Sequence, residues 1–463
     1  MAAVSLAPSK GLDMDELRVV STCGNLGYGF PEASLQEAVS RRPHIIGADN
    51  GSSDPGPYYL GSGKPLTKRA QVTRDLRLSL GAARQLGVPY IIGSANTAGG
   101  TPHLEGFLDI LDEVSRQDGH RYRLATINAE LDKETVKKAV REGRVRSMGV
   151  LPELTEAMVD ESTRIVGQMG TGPFVSALKE GADVIIAGRA CDTAIFASAA
   201  EYYGFDMGLA FHMAKLLECG AQCAIPLAAS DCLMGTLRRD HFEIEPMNMA
   251  SRVSITSVAA HMMYEQPDPH HFFEPEGMVD LERSNITQID PRRVRVEGSR
   301  LVHADKPTIK LEGARLRGYR AVTIGGMTDP MLIANATSVE NRVRDTVATL
   351  LRGTLEPDRY ELNFIYYGRD GVRPNANAAA HEVGLVIDAI APTQDLANAV
   401  LSLARSSYLH GFFEGRKATA GNLAFPFSPS DLEAGPVYDF NIYHLMEVDD
   451  PDALFPVTYS EVA

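Results

Sequence analysis

The chain has 463 residues, 44 % of them hydrophobic, enough for large cores and for two domains. Its 45 Lys and Arg against 60 Asp and Glu leave a formal charge of −15, which argues against the clustered positive surface that nucleic acid or an anionic membrane requires. Its 5 cysteines (Cys23, Cys191, Cys219, Cys223 and Cys232) are odd in number and irregular in spacing, which excludes a disulfide framework and points to reduced thiols in a cytoplasmic protein.

The opening MAAVSLAPSKGLDMDE lacks the apolar core of a secretory signal, and no apolar run reaches the length of a membrane span. Strand-like and helix-like segments then alternate. Leu17–Cys23 is β-branched and ends at Gly24, and Pro31–Arg42 has helical spacing. His44–Ala48 is a buried-strand run ending at Asp49, Val72–Leu86 a helix, and Val88–Gly93 the next strand. Leu104–Gln117 reads as a helix, Tyr122–Ile127 as a strand, Asp132–Glu142 as a helix, and Glu153–Lys179 as a helical tract. Asp183–Ala187 is a further strand and Thr193–Tyr203 a further helix. This alternation predicts an α/β domain over residues 1–240, with a doubly wound, mostly parallel sheet.

Character changes near residue 240. Val279–Val322 alternates polar and apolar residues, as antiparallel strands with tight turns do. Helix-like tracts and strands then share Ser338–Leu351, Tyr360–Tyr367, Glu382–Ile390, Gln394–Ser407 and Tyr438–Met446. Residues 241–463 are therefore expected to form a mixed α+β domain packed against the first.

Ligands of open α/β sheets bind beyond the carboxyl ends of the strands, where this sequence places its glycine-rich loops. Cys23–Gly29 (CGNLGYG) lacks the G-x-G-x-x-G spacing that brings amides onto a pyrophosphate, which argues against a nicotinamide cofactor. Ala48–Gly63 holds Asp49, Asn50, Ser52, Ser53 and Asp54 among glycines and prolines. It is longer than βα connections usually are, and long loops of this kind tend to serve ligands; the alternative is an Asx-rich turn. In Ser94–His103, Asn96, Thr97, Gly99 and Gly100 precede a helix whose free amides suit a carboxylate or phosphate, with His103 as a candidate acid or base. The same residues also read as an N-cap, with a solvated His103. In Ala187–Ala194, Arg189 is placed to clamp a carboxylate, Asp192 sits where an N-cap would, and Cys191 lacks an activating partner. Glu245–Pro269 is dense in polar groups, and Asn248, Arg252 and His261 are expected either to close over these loops or to form a polar interface. His270–His271 lacks a second ligand pair for zinc, and no serine-hydrolase elbow, P-loop or zinc-protease motif is present.

Four motifs in order, IIGADNGSSDPGPYYLGSG, IIGSANTAGGTPH, VIIAGRACDTAIFA and IEPMNMASRVSITSVAAHMMYE, resemble the acyclic terpene utilisation (AtuA-like) family from about Leu17 to Gly326. The resemblance implies a catabolic enzyme acting on a small branched carboxylic acid or its coenzyme A thioester, a homo-oligomer, and a small companion protein. With it, the residues point to a hydratase-type lyase. Asp54 and His103 are the acid and base, Arg189 the carboxylate clamp, and the amides around Gly99 and Gly100 the enolate site. Asp49 and Asp192 are candidate Mg²⁺ ligands. Hydrolase and isomerase chemistry stay open within the enzyme class. The reading from another class is a non-catalytic ligand-binding subunit that works through the companion.

Overall fold

A computed structural model describes residues 14–227, 230–373 and 380–463; most of the opening segment read for a leader lies outside these. The chain divides into two compact units, one running to Arg315 and resuming at Phe440–Ala463, the other Leu316–Asp439.

In the first unit the elements run β1 (Glu16–Ser21), α1 (Glu32–Ser40), β2 (Ile45–Asp49), α2 (Pro57–Ser62), α3 (Arg69–Leu86), β3 (Tyr90–Gly93), α4 (Thr101–Asp118) and β4 (Tyr122–Ile127). They continue with α5 (Lys133–Arg141), β5 (Val145–Ser147), α6 (Glu156–Glu161), β6 (Ser162–Gln168), α7 (Gly172–Lys179), β7 (Val184–Ala187), α8 (Ala194–Tyr203) and α9 (Met207–Leu217). Then come β8 (Leu233–Arg238), β9 (His241–Pro246), α10 (Ile255–Met262), β10 (His271–Glu274), β11 (Gly277–Asp280), β12 (Asn285–Asp290), β13 (Arg293–Glu297) and β14 (Arg300–His303). The long strand β15 (Thr308–Met327) runs on into the second unit, which adds α11 (Pro330–Leu351), β16 (Glu361–Tyr367), β17 (Val383–Ala391) and α12 (Gln394–His410). Strand β18 (Asp431–Glu447) returns to the first unit, and β19 (Val457–Val462) follows.

The large sheet has the order β12-β13-β9-β8-β1-β2-β3-β7-β4-β19. Strands β1, β2, β3, β7 and β4 are parallel neighbours, as the β-branched runs predict. Adjacent residues on each strand face opposite ways: Ile45, Ile91 and Ile185 enter one core, and Ile46, Ile92 and Ile186 the other. Helices α1, α3 and α4 supply Leu35, Leu76 and Phe107 to the second core, while α7, α8 and α9 supply Phe174, Phe196 and Phe211 to the first. Burial on both faces is what a parallel sheet requires. Strands after residue 240 divide between this sheet and two others, one of β10, β11 and β14 and one that includes β15, β16, β17 and β18. Strands β8, β9, β13 and β12 extend the large sheet antiparallel from β1, and β19 closes the far side against β4.

The tract Glu153–Lys179 is not one helix. Thr155 caps α6, but Ser162–Gln168 is strand β6, paired antiparallel with Lys310–Arg315 of β15. The β-branched run Thr163, Ile165 and Val166 favours extended backbone once that distant partner is present. In the second unit, β15 pairs with β17 and β17 with β16, all antiparallel. Helices α11 and α12 bring Val339, Val343, Val400 and Leu401 into one core with Leu385 and Ile387 of the strands. The chain is thus a mixed α/β protein. Among the described residues, no helix is long and apolar enough to cross a membrane.

Candidate functional site

The loops that end β1, β2, β3 and β7 interlock at the carboxyl edge of the parallel strands. Asn50 is the hub: its Nδ2 donates to Leu26 O (2.8 Å), its Oδ1 accepts from Asn96 N (2.6 Å), and its carbonyl accepts from Thr97 N (2.9 Å). Ser94, Asn96 and Thr97 hold positive φ (48°, 49° and 94°), a conformation that costs non-glycine residues energy and persists only where its surroundings fix it. Gly99 (φ 62°) lies so close to the next loop that a Cβ would sit 2.1 Å from Arg189 N. Gly99→Ala is therefore expected to destabilise the protein by about 3 kcal/mol or more. Gly81→Ala, in α3 where an added Cβ meets nothing within 4 Å, is expected to stabilise it by up to about 1 kcal/mol. Urea unfolding of the two variants checks the opposite signs.

Most polar groups singled out in the sequence are spent on one another here. Asn96 Nδ2 donates to His103 O (3.0 Å), and Thr97 Oγ1 accepts from Leu66 N (2.8 Å). The amide of Gly99 bonds Ala95 O, and the N-terminus of α4, next to Gly100, is capped by Glu130, which accepts from Thr101 N (2.7 Å). Arg189 is 3 % exposed. Its Nε donates to Glu312 (2.9 Å), and its Nη1 to Ala190 O (2.8 Å), Ser94 Oγ (3.2 Å) and Asp192 (3.2 Å). The arginine clamps an internal carboxylate contributed by β15.

His103 is 1 % exposed, its Nε2–H donated to Tyr59 O (3.0 Å), and burial lowers its pKa to about 4, so at neutral pH the ring is uncharged. Ser53 is buried, while Ser52 donates to Asp54 (2.8 Å) at an exposed turn. Asn248 donates to Asp231 (2.8 Å), and Arg252 is exposed, its backbone paired with Ile225. Burial and then the charge of Asp192 push Asp49 well above the ordinary carboxylate range, with Arg189 opposing. Asp49 and Asp192, the candidate Mg²⁺ ligands, lie in each other's field and in that of Arg189, and among the described residues no group of three His, Cys, Asp or Glu could hold a metal.

Beside these loops lies a cavity of about 270 Å³ lined by Gly24, Tyr28, Cys219, Gln222, His261 and Tyr264. Its wall comes from the β1 loop, the segment after α9, and α10. Asp206 caps α9, accepting from Leu209 N (2.9 Å), and Ser254 and Ser257 form a capping box at the start of α10. His261, in the last turn of α10, stacks on Tyr264 (ring centroids 5.8 Å apart), and its Nε2 is buried without a partner among the described residues. Burial, reinforced by the charge of Lys215, lowers its pKa to about 4 and keeps it neutral.

Behind Cys219 sits a buried ion pair, Lys215–Glu218. Burial lifts Glu218 to about 7 against the pull of Lys215, and Asp192 adds to the rise. Burial also raises Asp192, which Arg189 and Lys215 oppose and Asp54 reinforces. The cavity and the loop crevice therefore share one electrostatic environment.

Sequence reasoning found His261 through the polar density around it, and it missed Lys215, Glu218, Tyr28, Tyr264 and Glu312. The GYG turn was the one local signal for Tyr28; nothing local marks the others.

No curated protein and no solved structure matches the chain significantly. A family model does, that of the acyclic terpene utilisation family protein AtuA, over residues 83–230 and 243–424. That span carries Asn96, Arg189, Lys215, Glu218, His261 and Glu312, and more than half of the chain lies within it. The chain belongs to the acyclic terpene utilisation (AtuA) family.

Proposed function

We propose that the protein is a catabolic enzyme, a hydratase-type lyase that adds water to a small branched unsaturated carboxylic acid or its coenzyme A thioester. The observation that carries this reading is Nε2 of His261 in the cavity wall, unpartnered among the described residues and held neutral in the field of Lys215, whose ion-pair partner Glu218 burial raises to about 7. A neutral imidazole accepts a proton from water as the hydroxyl joins one alkene carbon. Glu218, protonated below about pH 7, gives a proton to the other carbon. Lys215 supplies positive field for charge on the carbonyl oxygen. Asp54, exposed and within the field of Asp192, exchanges the proton with solvent. Because Glu218 acts as the acid, kcat/KM is expected to fall as pH rises through about 7, and Glu218→Gln to flatten that limb at a lower rate.

The test is a panel of branched 2-enoic acids and their coenzyme A thioesters incubated in ¹⁸O-water. A hydrated product carrying the label supports the reading; a panel left unlabelled by the wild type, with ligand bound, removes it.

A second reading, a non-catalytic ligand-binding subunit, is favoured by the internal pairing of Arg189, Asn96 and Thr97. It predicts binding without turnover until a small companion protein is added. Cytoplasmic location and homo-oligomeric assembly complete the proposal, the second checked by sedimentation.

A further inference from the structure

The loop between β1 and α1 is held by a carboxylate from another element. Asp75, on α3 and fully buried, accepts through one oxygen from both Gly27 N (2.9 Å) and Gly29 N (2.8 Å). Its other oxygen takes Nη1 of Arg74 (2.7 Å), whose Nη2 donates to Phe30 O (3.1 Å). Both glycines have positive φ (105° and 84°), so the turn relies on them and on the carboxylate that gathers their amides. A Cβ at Gly27 would meet Thr67 at 2.9 Å, so the turn lies tight against the segment leading into α3. Between those two amides projects Tyr28, 55 % exposed and on the cavity wall.

A buried charge aimed at two backbone amides is more than a loop needs merely to stay folded, since Leu26 N already bonds Asp49 O (2.8 Å) and Asn50 already holds Leu26 O. We propose that Asp75 is a positioning residue that fixes Tyr28 as a ligand-contacting wall of the cavity. Tyr28 then meets the apolar part of a bound branched acid with its ring. This rests on the cavity being the site of the lyase reading, but the loop order it predicts does not require turnover.

The chain contains no tryptophan, so Tyr28→Trp installs a single indole reporter. In that background, Asp75→Ala is expected to lower the fluorescence anisotropy of the indole clearly, and Asp75→Asn, which keeps an acceptor oxygen, to lower it less. Unchanged anisotropy in both variants overturns the proposal, whatever their melting temperatures.

Binding is read by calorimetry with a 3-methyl-branched medium-chain carboxylate and its thioester, on the tyrosine form. Tyr28→Ala and Asp75→Ala are each expected to weaken binding about tenfold, and the double variant no more than either alone. Additive losses, or an Asp75→Ala protein that melts earlier yet binds as the wild type does, overturn the positioning role. If the wild type binds neither probe, the lyase reading falls, and the anisotropy arm alone decides whether Asp75 orders the loop.

Discussion

His261→Asn is expected to lower kcat by about 10²–10⁴-fold, the range over which a positioned acid or base contributes, while leaving the protein folded. The second half of that expectation follows from the same geometry as the first. Nε2 of His261 bonds nothing among the described residues, so its removal orphans no partner there and the loss of stability is small. Tyr264, stacked on the ring, keeps its place against the amide plane. The measurement is turnover on whichever labelled substrate the panel yields, beside urea unfolding of the same preparation. A variant that retains full turnover would assign the proton transfer to another group, with Asp54→Ala the next to assay.

The largest stability effect is expected at Glu312. This carboxylate is wholly buried and accepts from Arg189 Nε (2.9 Å) and Lys310 Nζ (2.8 Å). Burial alone would raise its pKa, but the charges of Arg189 and Lys310 overcome that and hold it at about 2. Glu312→Ala leaves the buried Arg189 with Asp192 alone and the partly buried Lys310 without its carboxylate, which costs about 3–5 kcal/mol.

The pH dependence has a definite sign. A carboxyl depressed from its ordinary 4.5 to about 2 contributes stability that is complete above 4.5 and lost as pH falls toward 2. At about 1.4 kcal/mol per pH unit this amounts to about 3 kcal/mol. The gap between wild type and variant in urea midpoint is therefore expected to be wide at pH 7 and pH 5, to narrow by pH 3 and to close only toward pH 2. Equal midpoints at neutral pH would mean that Arg189 finds another partner.

The parallel strands were legible because each is a short β-branched run that ends in glycine or a polar turn, and burial on both faces leaves no alternation to confuse the pattern. Helix α9 was not legible for the same physical reason turned round. MGLAFHMAKLL is buried on every side, so it shows no polar stripe of helical period, and the ion pair at its end went unread with it. Strand β6 was absorbed into a helical tract because its partner lies well over a hundred residues away.

The site divides along the same line. That the loops of Asn50, Asn96 and Arg189 meet follows from strand order, and strand order follows from the pattern. Whether Arg189 faces a ligand or a carboxylate depends on Glu312, 123 positions later, which no local signal connects to it. Likewise, the raised pKa of Glu218 comes first from burial, which no local sequence signal announces.

The final strand of the large sheet has a consequence for biosynthesis. Because β19 supplies the edge against β4, and the intervening 124-residue stretch Leu316–Asp439 belongs to the other unit, a nascent chain emerging from the ribosome cannot finish the sheet it began with β1 until its last strand is translated. A stop codon before Val457 would leave the unpaired amides of β4 as an open template for aggregation, even though every residue of the cavity is already made.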